Sequence, residues 1–102
     1  MAYYLVTAKL KSNVKELANH LRKNDFINLK PFGKALTFGL KNARIRADGY
    51  MVWEEEDYCS PPLKEEKEAV LDRFFDNIKV ERVSKGEGWD KIANLPKLFK
   101  GL

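Results

Sequence analysis

The chain has 102 residues, 44% of them hydrophobic and 12% aromatic, which is enough apolar material for one folded domain and argues against disorder. A formal net charge of +4 conceals a division: residues 1–46 carry ten Lys and Arg against two acids, whereas residues 47–102 carry nine against thirteen. The single cysteine, Cys59, excludes an intramolecular disulfide and a thiol pair for metal; without a secretory pattern or an apolar run near the ~20 residues of a spanning helix, a soluble, cytoplasmic, non-membrane protein is expected.

Tyr3 to Leu10 carries apolar residues on both parities, as a central strand covered on both faces does. Asn13 and Glu16 have capping-box spacing, and Val14, Leu17, Ala18 and Leu21 then form a helical stripe. Arg22 and Lys23 close the helix where cations complement its dipole. Residues 26–34, with Pro31 and Gly33, read as a partly buried connection. Ala35 to Leu40 alternates, with Leu36, Phe38 and Leu40 on one side, and predicts a strand with one buried face. Residues 41–46 either continue it or turn into a further strand. Asp48-Gly49 signals a hairpin into Tyr50-Met51-Val52-Trp53, a second strand that is apolar on both parities.

Glu54 to Asp57 reads as an acidic strand end that aids solubility. Ser60-Pro61 opens a helix, with Leu63, Val70, Leu71, Phe74, Phe75 and Ile78 as its apolar stripe. Lys79 to Val83 is charged enough for an edge strand. After Gly86 and Gly88, residues 89–99 predict an amphipathic helix bent near Pro96, which covers the sheet's second face or joins two copies of the chain.

The order β-α-β-β-α-β-α resembles the ferredoxin-like split βαβ arrangement, an α+β two-layer sandwich within a single domain 1–102, with core 3–83 and a C-terminal apolar extension over 86–102. The competing architecture is a three-stranded meander over residues 35–56. The resemblance implies no activity, because such sandwiches host unrelated functions.

Tyr3, Tyr50 and Trp53, with cations nearby, are the ingredients of a base-stacking sheet, but the order around Tyr50 is not that of an RNA-recognition motif. Central-strand aromatics are ordinarily buried, and carboxylates at 54–57 would repel phosphate there. The better anion-binding candidates are Lys30, Lys34, Arg44 and Arg46, the first two flanking Pro31-Phe32-Gly33. Four consecutive acids put two on each strand face, which is against a closed metal site. Glu65, Glu68, Asp72 and Asp76 form an acidic ridge that could face Lys15, Arg22 and Lys23 of the first helix, within one copy or between two.

Cys59 and His20 show no pairing that suggests catalysis, and no nucleophile elbow, zinc spacing or dinucleotide fingerprint appears. The expectation is a small non-enzymatic binding domain that engages nucleic acid or another polyanion through its 30–46 region, without cofactor or metal. The alternative is a self-associating adaptor, a homodimer or larger homo-oligomer. An enzyme acting on a phosphorylated or acidic metabolite comes third.

Overall fold

The computed structural model describes residues 2–57 and 60–101, so Cys59 lies outside the described residues. It is an α+β fold around a four-stranded antiparallel sheet of order β2-β3-β1-β4. The long strands β1 (Ala2–Leu10) and β3 (Tyr50–Asp57) lie in the middle, with Val6 opposite Trp53. The edges are the two-residue β2 (Arg44–Ile45) and β4 (Phe75–Val83). At the β2–β3 hairpin, Gly49 adopts φ 88° and donates its N–H to the Arg46 carbonyl at 3.0 Å, a geometry that favours glycine.

Strand alternation sends Val6, Ala8, Met51 and Trp53 to one face, where they are fully buried. Helix α1 (Val14–Arg22) covers that face with Leu17 and Leu21, and α2 (Gly33–Lys41) adds Leu36 and Leu40 to the same core. Each such side chain contributes roughly 1.5–3 kcal/mol on burial. Asn13 precedes α1, but its side chain makes no cap bond; Nδ2 instead donates to the Arg73 carbonyl at 3.0 Å.

Residues 35–40 are helical, not a strand. Leu36 and Leu40 are four apart and share a helix face, whereas Phe38, which completed the strand-like alternation, points outward and is 61% exposed. Gly39 lets α2 lie against β3, because a Cβ there would stand 2.7 Å from the Trp53 ring. The strand leading into the hairpin is therefore the short β2, and residues 42–43 are the turn out of α2.

The second helix also departs from expectation. Leu63 adopts φ 64° and gives its N–H to Asp57 Oδ2 at 2.6 Å, so helix begins at Lys64 rather than at Ser60-Pro61. Residues 64–74 run through α3 (Lys64–Glu66), a π-helical segment (Lys67–Leu71) and α4 (Asp72–Phe74). Phe75 is already extended, so Phe75 and Ile78 belong to β4, whose pairing with β1 shifts register between Thr7 and Lys9.

The C-terminal segment is helical only over α5 (Glu87–Lys91). Gly88 sits on Leu5 and Glu54, the sheet face opposite the α1 core, with 3.3 Å from its would-be Cβ to Leu5 Cδ1. The chain then runs along the outer side of β2: Ile45 N–H donates to the Pro96 carbonyl at 2.9 Å, Leu98 N–H to the Ala43 carbonyl at 3.2 Å, and Arg44 bridges Lys97. Phe99 ends in the main core. No helix among the described residues is long and apolar enough to cross a membrane.

Candidate functional site

The acidic run 54–57 is not a solvated strand end. Glu54, Glu55 and Asp57 are buried, and Glu66 of α3 is fully buried beside them. Strand parity explains the split. Glu55 and Asp57 continue the inward row of Met51 and Trp53, while Glu54 faces the α5 side. There Glu54 accepts the N–H groups of Gly86 at 2.9 Å and Gly88 at 2.7 Å, which ties the C-terminal segment to the sheet. Glu55 Oε1 accepts the Trp53 indole N–H at 2.9 Å.

The Glu55, Asp57 and Glu66 carboxyls interact with one another inside the fold. Burial pushes Glu55 well above the usual carboxylate range; the Trp53 N–H opposes this, and Glu66 and Asp57 add to it. Burial first, then Asp57, raises Glu66 to about 7. The described residues hold no group of three or more His, Cys, Asp or Glu placed to bind a metal ion.

The four anion-binding candidates are not gathered into one site. Lys30 lies in the turn before α2 and Lys34 in its first turn, both exposed. Arg44 is half-buried and donates to the Leu95 carbonyl at 2.6 Å, holding the C-terminal segment. Arg46, two residues further on, is exposed, paired with Asp48 and stacked over Tyr50 at 5.4 Å. The Pro31-Phe32-Gly33 loop offers little main chain, because the Gly33 N–H donates to the Leu29 carbonyl at 2.6 Å and its Cα faces the Phe26 carbonyl.

The stacking candidates separate as well. Trp53 is core, Tyr3 donates its hydroxyl to Glu56 at 2.8 Å, and Tyr50 lines a concavity of about 450 Å³ in which Arg46 and Lys79 are offset by Asp48 and Glu81. The expected match of Lys15, Arg22 and Lys23 with Glu65, Glu68, Asp72 and Asp76 is not formed among the described ion pairs: the pair between the helices runs the other way, Glu16 to Arg73 at 3.5 Å, and Asp76, in β4, reaches Lys11 at 3.8 Å. His20 pairs with Asp25 at 2.8 Å and packs on Phe26.

A different constellation emerges on α2. Lys34, Phe38 and Lys41 fall on one stripe at i, i+4 and i+7, about 10 Å from end to end. Phe38 meets Trp89 of α5 edge-on at 6.1 Å, and the two line a groove of about 290 Å³ with Ala35, Tyr3 and Lys85. The carboxylates bordering it are engaged: Glu54 by α5, Glu55 by Trp53, Glu56 by Tyr3. Lys41 donates to Asn24 Oδ1 at 2.6 Å, which draws the ends of α1 and α2 together. Among the described residues, Lys23, Lys30 and Lys34 enter no ion pair. The helical spacing of Lys34, Phe38 and Lys41 is the sequence signal that the strand reading concealed.

No family model matches the chain, and no match was found among curated proteins or solved structures.

Proposed function

We propose that this is a non-enzymatic binding domain, working in the cytoplasm, that engages single-stranded nucleic acid along the basic side of α2. The observation that carries the reading is Phe38, 61% exposed between Lys34 and Lys41 and braced by Trp89. Exposed aromatics beside cations stack bases while the ammonium groups neutralise phosphates, and stacking contributes about 1–3 kcal/mol per base. Segment 22–46 supplies seven cations and one acid, Asp25, which is held by His20. Glu54, Glu55 and Glu56, which border the groove, are each engaged by hydrogen bonds within the fold, and the basic stripe of α2 lies on its other side. Lys30 and Lys34 keep their proposed role as phosphate contacts; Arg44 and Arg46 contribute to the field from further away. We take the sheet order as a ferredoxin-like arrangement in which α2 precedes a shortened second strand.

The test is fluorescence anisotropy of a labelled oligothymidylate across a salt series. Affinity should fall as salt rises, and Lys30→Gln with Lys34→Gln should flatten the log–log slope by about two. Phe38→Ala should weaken binding about tenfold at fixed salt and abolish quenching of Trp89. Heparin binding that matches the oligonucleotide and ignores Phe38→Ala would reduce the function to general polyanion binding. No retention at low salt would refute it.

A further inference from the structure

The two edges of the sheet are treated differently. Beyond β2, residues 96–98 of the same chain occupy the outer side through the Ile45–Pro96 and Leu98–Ala43 hydrogen bonds. Beyond β4 no strand follows among the described residues, and β1 is its only strand neighbour. Lys79, Glu81 and Arg82 are exposed there, together with Val80 at 40%. A long exposed edge is a template for another strand. We infer that β4 is a self-recognition edge, pairing antiparallel with β4 of a second copy of this chain across a twofold axis at Val80.

Register makes the case. A twofold axis perpendicular to the sheet preserves its faces, so residue i can oppose only residues of its own parity in the partner strand. Centred on Val80, Lys79 of each copy stands opposite Glu81 of the other, giving two identical opposite-charge pairs on one face. The other face then brings the two Val80 side chains together, which covers apolar surface now exposed. Shifting the centre to Glu81 sets carboxylate against carboxylate, and shifting it to Lys79 sets ammonium against ammonium. The charges that discourage chance partners thus select one register with a copy of the same strand. The bulge near Asn77, at φ 52°, limits the regular pairing to residues 78–82. In the single chain Glu81 is held by Lys91 at 3.0 Å on an exposed surface, an exchangeable contact that can extend to Lys79 of the second copy.

Sedimentation equilibrium from micromolar to millimolar protein tests this. The mass should rise from 11.8 kDa toward twice that value as concentration increases. Lys79→Glu and Glu81→Lys should each raise the dimer dissociation constant about tenfold, and the double variant should restore it, because swapping both charges recreates the pairs. Val80→Arg, which places two cations on the axis, should weaken association at least as much. A monomer at every concentration would overturn the inference, as would a dimer indifferent to all three single variants or a double variant no better than the single ones.

Discussion

The basic segment 22–46 and the acidic strand segment 54–57 look in sequence like two solvated charge clusters of opposite sign, yet the fold handles them in opposite ways. The lysines stay on the outside of a helix layer with their ammonium groups in water. Three of the four acids are buried, Glu55 and Asp57 on the core face of a central strand and Glu54 beneath α5 on the other, and each accepts a main-chain or indole N–H. Proximity in sequence therefore misstates the surface: three of the acids leave it, and the lysines remain.

The largest expected effect comes from cutting Glu54. Glu54→Ala removes two charge-assisted hydrogen bonds to Gly86 and Gly88 and frees α5 from the sheet, a loss of about 4 kcal/mol. Urea unfolding measures it, and a loss under 1 kcal/mol would return residue 54 to the class of solvated acids. Next is pH. With the folded value of Glu66 near 7 and its ordinary value 4.5, the unfolded chain releases that proton first. Stability should therefore be highest in mild acid and fall by about 3 kcal/mol from pH 4.5 to above 7. Glu66→Gln should flatten this profile and raise stability at pH 8; a wild-type profile that rises over the same range would contradict the buried carboxyl arrangement. The smallest effect belongs to the lysines: Lys30→Gln and Lys34→Gln should each shift stability by no more than about 0.5 kcal/mol, since no folded partner is lost. A larger loss in thermal denaturation would mean that these cations belong to the fold.

Much of the framework was legible from sequence. β1, β3, the Asp48-Gly49 turn and the stripe of α1 follow from local periodicity and turn chemistry, which tertiary packing did not override. Residues 35–40 misled because Leu36, Phe38 and Leu40 satisfy a period of two, while a helix needs only Leu36 and Leu40 inside. The choice depended on Phe38, the residue that the fold leaves in water. The acids misled for a related reason. Tyr50 to Trp53 already read as covered on both faces, and a strand that continues straight keeps both faces covered through residue 57, whatever the residue type. The groove between Phe38 and Trp89 joins segments 51 residues apart, and no local pattern could bring them together.

The C-terminal strand-like run along β2 has one more consequence. A sheet open at both sides can add copies indefinitely and grow into a ribbon, whereas this molecule caps one side with its own chain. Any strand addition can proceed only from the β4 side and is complete after a single step, so the same residues that fasten the tail also set a ceiling on assembly size.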